Sequence, residues 1–162
     1  MPPAPRKRPS ASQPSERLAE FLPYLLSVAS NAVSDRIAEQ YRARFGLSVN
    51  EWRMMAVLGD SGALTQRDLA DRTLLDKVAV NRASKTLVGR GLVERSSHSR
   101  DGRSHLLQLT PTGSEVHDEI MPLAKAIEQE MFAQFSDEER AMLRDVLIRL
   151  RVRAGGDDAG AG

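Results

Sequence analysis

The chain has 162 residues, 23 Lys and Arg against 22 Asp and Glu, a formal net charge of +1, and 41% apolar residues. That balance describes a globular protein able to bury a core, which excludes a wholly disordered chain, and no apolar run approaches the ~18 residues that span a bilayer. The absence of Cys excludes disulfides, thiolate chemistry and Cys-bearing zinc sites.

Residues 1–14 are proline-rich and carry Arg6, Lys7 and Arg8 with almost nothing to bury, so they read as a disordered basic arm. They lack the apolar stretch of a secretory signal, and a cytoplasmic protein is expected. From Leu18 the apolar positions Phe21, Leu22, Leu25, Val28, Ala32, Val33, Ile37, Tyr41 and Phe45 recur every three or four residues. This spacing predicts a long amphipathic helix that ends near Gly46, with Pro23 either starting or bending it. Ser48 and Glu51 form a capping box ahead of the apolar run Trp52 to Leu58, and the turn at Asp60-Ser-Gly62 closes that second helix. A second box, Thr65 with Asp68, opens a short helix to about Arg72. Asp76 then caps a helix from Lys77 to Arg90, which Gly91 stops.

Here the period changes. Leu92–Ser97 and Ser104–Thr110 favour extended structure around the turn signal Asp101-Gly102, a β-hairpin. Thr110-Pro111 starts another long helix, to about Phe135. A third box, Ser136 with Glu139, opens the last one, striped by Met142, Leu143, Val146, Leu147 and Leu150. From Ala154 the Gly/Ala/Asp-rich end, 154–162, reads as a disordered tail.

The predicted fold is therefore mainly α with a small β-hairpin wing. Residues 15–153 form one unit in which 48–110 have the size and order of a winged helix-turn-helix. The flanking helices, 15–46 and 111–153, bear apolar stripes but have no sheet to cover, so they are expected to pair with each other and with a second copy.

In a helix-turn-helix the second helix enters the major groove. In the helix Lys77–Arg90, Val80, Ala83 and Leu87 form the inner face, with Leu69, Leu74 and Leu75 available to meet it. The outer face carries Lys77, Asn81 and Lys85, flanked by Val78, Ala79 and Arg82. Asn suits adenine, Arg suits guanine or phosphate, and Val78 or Ala79 suits a thymine methyl. Any solvated helix face carries such residues, and the hairpin turn decides between the two readings. Arg100 and Arg103 sit at its tip beside Asp101, which can hold Arg103 extended, and Arg is the side chain favoured in narrow minor grooves. Between Lys77 and Arg103 seven basic residues face two acidic ones, a local +5. Residues 61–110 contain no Phe, Tyr or Trp, so this basic surface lacks the stacking platforms of single-strand binders and points to duplex DNA.

The runs Leu64-Thr-Gln-Arg-Asp-Leu-Ala-Asp-Arg72, Leu75-Asp-Lys-Val-Ala-Val-Asn-Arg82, Gly91-Leu-Val-Glu-Arg95, Asp101-Gly-Arg103 and Leu109-Thr-Pro-Thr-Gly113 resemble the MarR family of transcriptional regulators over roughly residues 16–152. The resemblance implies a homodimer built from the first and the last two helices, which reads a pseudo-palindromic operator and represses a nearby promoter. It further implies that Arg103 enters the minor groove, oriented by Asp101. The family often has Ser or Thr where Val78, Ala79 and Asn81 stand, so the operator sequence does not carry over.

The resemblance also implies release from DNA when a small, often aromatic, acid or a related metabolite such as its coenzyme A thioester binds between the dimer helices and the DNA-binding lobe. Two features suit such an effector. Arg53 is the only charge within Trp52-Arg-Met-Met-Ala-Val-Leu58, and Ser27, Asn31 and Ser34 draw a polar line along the first helix. Trp52, Met54 and Met55 could wall an aromatic ligand or simply form core, as Arg53 could pair within the dimer. His98, His105 and His117 lack metal-ligand spacing and are assigned to surface or interface. Neither a nucleophile elbow nor a phosphate-binding loop is present, so no enzyme, cofactor, metal or membrane partner is expected. The competing reading is a dimeric winged-helix module for protein contacts without specific DNA binding.

Overall fold

The computed structural model describes residues 18–97 and 105–155. In chain order the elements are α1 (Leu22–Phe45), α2 (Val49–Ser61), β1 (Leu64–Thr65), α3 (Gln66–Thr73), α4 (Lys77–Gly89), β2 (Val93–Ser97), β3 (His105–Leu109), α5 (Pro111–Phe132) and α6 (Asp137–Gly155). The basic arm and the wing tip lie outside the described residues, and so does the tail beyond Gly155. No helix among the described residues is long and apolar enough to cross a membrane.

Helix boundaries follow local chemistry. Pro23 falls in the first turn of α1, where its missing N–H costs nothing, so it starts the helix and does not bend it. Gly46 ends α1 at φ 61°, and its N–H donates to the Arg42 carbonyl at 3.0 Å. At α2 the Glu51 N–H donates to Ser48 Oγ (3.2 Å) and the Ser48 N–H to the Glu51 carboxylate (2.9 Å). Thr65 and Asp68 repeat this box at α3, Asp76 accepts from the Ala79 N–H at 2.7 Å to cap α4, and Ser136 with Glu139 caps α6. At Asp68 the hydrogen bonds from the Thr65 side chain and backbone hold the carboxyl below its ordinary range.

The hairpin becomes a three-stranded antiparallel sheet in the order β1-β3-β2. Val93 pairs with Leu109 and Ser97 with His105, while Leu64 and Thr65 pair with Leu107 and Leu106. β1 is too short for an alternating pattern, so sequence reading finds two strands and not three. Similarly, α5 stops at Phe132, short of Phe135, and α6 runs into the expected tail as far as Gly155.

The core lies where α2, α4 and the sheet meet the lower halves of α1 and α5. Tyr41, Leu47, Met54, Met55, Leu69, Val80, Leu87, Leu107 and Ile120 are fully buried there. Gly113 lets α5 seat against the α4–β2 turn: a Cβ at that position would lie 1.9 Å from the Leu92 carbonyl oxygen. By contrast, α6 buries no residue, and α1 leaves Leu22 and Val28 exposed, as is Phe21 at its N-cap.

Candidate nucleic-acid interface

α4 has two chemically distinct faces. Inward, Val80, Ala83, Ser84 and Leu87 are buried, and Ser84 spends its hydroxyl on the Val80 carbonyl at 2.7 Å. Outward, Lys77, Val78, Asn81, Arg82 and Lys85 are exposed, and Ala79 is half-buried. Lys77, Asn81 and Lys85 form one row ~12 Å long, given the 1.5 Å rise per residue. Among the described residues Lys77, Arg82 and Lys85 join no ion pair. The row thus offers two cations and an amide to solvent from a helix whose rear is locked into the core.

The turn ahead of α4 differs from the sequence expectation. Leu74 does not join the inner face: it caps α3 at φ 55° with its side chain 74% exposed. An L-residue in that left-handed conformation is strained, and an exposed Leu gains little burial in return. Leu69 is buried and Leu75 half-buried, as the apolar face requires. Val78, 69% exposed, stands near the entry of α4.

Arg90 also departs from the local charge count. Its guanidinium donates to the carbonyls of Phe45 and Gly46 at the end of α1, and so it does not belong to the outer row of α4. On the wing, Gln108 donates to the Glu94 carboxylate at 2.5 Å across β2 and β3, next to the exposed Arg95. Arg100, Asp101 and Arg103, which connect these strands, lie outside the described residues.

The residues singled out for an effector do not converge within one chain. Trp52 and Met55 are core residues, whereas Arg53 is half-buried with no ion pair among the described residues. The Trp52 ring lies 5.7 Å from Tyr41 and 5.8 Å from His117, stacked on the latter at 30°. Burial raises the Tyr41 phenol above its ordinary pKa, the largest influence upon it. Ser27 and Asn31 are exposed and Ser34 half-buried. Fourteen residues of helix separate Ser27 from Tyr41, ~21 Å, too far for one small ligand to touch both Ser27 and Trp52 in the same chain.

The packing of His117 went unread in the sequence, which assigned it only to surface or interface. Its side chain has 17% exposure, lies over Trp52, meets Asp118 Oδ1 at 3.1 Å through Nδ1, and fills a notch at Gly59. A Cβ at Gly59 would stand 2.4 Å from His117 Nε2. The available signal was Gly59 itself, since a glycine inside a helix costs about 1 kcal/mol against Ala and marks a close approach.

A buried-backed helix with a polar outer row, preceded by a short helix and followed by an antiparallel wing, defines a winged-helix DNA-binding protein. The comparisons agree. A match to the MarR family covers residues 45–104. YdgJ of Bacillus subtilis, an uncharacterized HTH-type transcriptional regulator, is 32% identical over 119 residues, which span 74% of this chain and 73% of that protein. The HTH-type transcriptional repressor YetL of the same organism is 27% identical over 124 residues, 73% of this chain and 74% of YetL. Among solved structures, BpsR of Bordetella bronchiseptica superposes with a TM-score of 0.72 at 26% identity, covering 81% of this chain and 98% of that one. The chain belongs to the MarR family. It is a transcriptional regulator of that type and not an enzyme.

Proposed function

We propose that this protein is a homodimeric repressor that binds a pseudo-palindromic duplex operator through α4 and the wing, and that a small organic effector releases it. The observation that carries this reading is the outer row of α4, where Lys77, Asn81 and Lys85 face solvent without carboxylate partners among the described residues. Lys and Arg release counterions from phosphates, while Asn81 and Val78 have the chemistry to read base edges. Ala79, Arg82, Arg100, Asp101 and Arg103 complete the proposed interface.

Dimerisation is supported by apolar surface left uncovered in the single chain. Leu22 on α1 and Met142, Ile148 and Val152 on α6 are all exposed, and a groove of about 610 Å³ between α5 and α6 is lined by Phe132, Leu143 and Leu147. Two copies related by a two-fold axis would bury this surface and present two α4 helices to successive major grooves. The charge split favours the same orientation. Residues 115–139 hold eight acidic side chains against Lys125 alone, so the basic lobe faces the duplex and the acidic helices face away.

For the effector, Arg53 is the anchor we favour, because a half-buried guanidinium that joins no ion pair among the described residues suits an anion. BpsR supports the class, since its DNA binding is regulated by 6-hydroxynicotinic acid. The Ser27, Asn31 and Ser34 line belongs to the same proposal only through an element outside the single chain.

The test is selection of binding sites from a random-sequence duplex library at moderate salt, followed by titration of the complex with aromatic carboxylates and their coenzyme A thioesters. Enrichment of one inverted repeat, with release by at least one such acid and loss of that response in Arg53→Ala, is expected. Recovery of random duplex would leave the protein-interaction reading standing instead.

A further inference from the structure

Resting on the reading above, we infer that Arg90 is a positioning residue: it ties the end of recognition helix α4 to the end of α1 and thereby sets the half-site spacing that the dimer accepts. Arg90 is the C-cap of α4, its own N–H donating to the Thr86 carbonyl at 3.0 Å. Its guanidinium then reaches back across 44 residues of sequence. Nη1 donates to the Gly46 carbonyl at 3.3 Å and Nη2 to the Phe45 carbonyl, a two-pronged contact. Both acceptors stand where α1 ends and its last carbonyls have no donor of their own. A cation there also meets the negative end of the α1 dipole.

Apart from α2, on which both helices pack, their neighbours differ. α4 packs on α2, α3 and β2, whereas α1 packs on α5 and α2. The Arg90 fork is therefore a direct polar tie between the helix proposed to read DNA and a helix proposed to build the dimer. Its position at the C-terminal end of α4 gives it leverage. Lys77 lies thirteen residues away, ~20 Å along the axis, so a ~10° swing of the lobe about the fork moves the reading end by ~3.5 Å. That displacement is close to the ~3.4 Å rise of one base pair. A loose fork would let each lobe accept half-sites one base pair too near or too far. Arg suits the task because its planar fork meets two carbonyls at once, whereas Lys offers one point charge.

The experiment uses the full chain and the duplex enriched by selection, with versions carrying one base pair more or fewer between the half-sites. In Arg90→Ala the preference for the original spacing should fall roughly three- to tenfold, the range for losing exposed charge-assisted hydrogen bonds. Sedimentation should still show a dimer, and the slope of log affinity against log salt should be unchanged because Arg90 touches no phosphate. Arg90→Lys should recover part of the preference, and Arg82→Ala should keep it while lowering the salt slope. A slope lowered by about 1.8 per dimer in Arg90→Ala, with spacing preference intact, would make Arg90 a phosphate contact and overturn the inference. Unchanged spacing preference in both Arg90 variants would overturn it as well. If the parent protein selects no duplex sequence, the repressor reading itself fails and the inference falls with it.

Discussion

Gly59→Ala tests the packing of α5 against α2 with a change of one methyl. In an isolated helix the substitution is stabilising by about 0.8–1 kcal/mol, and somewhat less this close to the end of α2. Here the new Cβ would sit 2.4, 2.7 and 2.8 Å from three atoms of the His117 ring, where ordinary contact begins at 3.4 Å. The ring must move by about an ångström, off its stack on Trp52. Overpacking of this kind costs about 1–3 kcal/mol, and the lost ring contact adds about 0.5–1.5. The net expectation is destabilisation by about 0.5–4 kcal/mol. Removing the ring should reverse the sign: in a His117→Ala background, Gly59→Ala should stabilise by about 0.5–1 kcal/mol. Urea unfolding of the four proteins at one fixed protomer concentration measures the cycle. An equal effect of Gly59→Ala in both backgrounds would refute the notch.

Other substitutions check separate links. Leu74→Gly should raise stability by about 0.5–1 kcal/mol, because Gly adopts φ 55° freely and the exposed side chain gives up little packing; a lower melting temperature would contradict this. Asp68→Asn should cost about 0.5–1 kcal/mol at neutral pH, discounted for solvent exposure. Since the folded carboxyl is held below its ordinary range, its contribution is full above about pH 4 and disappears as pH falls through the folded value, so parent and variant should converge in acid. A gap that stays constant there would reassign the effect. Asn81→Ala should cost about 1–3 kcal/mol at one base position if it reads an edge, whereas an equal loss on every sequence would mark a backbone contact.

What the sequence made legible was local. The boxes at Ser48, Thr65 and Ser136, the cap at Asp76 and the stop at Gly91 each depend on residues three or four apart, and each stands where expected. The inner face of α4 was legible for the same reason, as Val80, Ala83 and Leu87 share one side of a helix. What escaped depends on partners far along the chain. β1 exists only because Leu64 and Thr65 find Leu107 and Leu106. His117 is placed by Trp52 and Gly59, and Arg90 by carbonyls 44 and 45 positions earlier. Leu74 occupies a conformation its residue type disfavours, so pattern reading turned it inward. The effector residues were joined by the family resemblance, and helix geometry separates Ser27 from Trp52 within one chain.

The charge balance shows the same contrast. A net +1 conceals a basic segment from Lys77 to Arg103 and an acidic one from Glu115 to Glu139. Only the fold shows that Arg90 turns away from the basic row while Lys77, Arg82 and Lys85 remain in it.

Hydroxyl-radical footprinting of the full chain on its selected duplex tests the central claim most directly. The account predicts two symmetric protected patches, centred about one helical turn of ~10–10.5 base pairs or a multiple apart, one for each α4 of a dimer. A single asymmetric patch, or uniform protection that vanishes at moderate salt, would contradict a dimer reading an operator through α4.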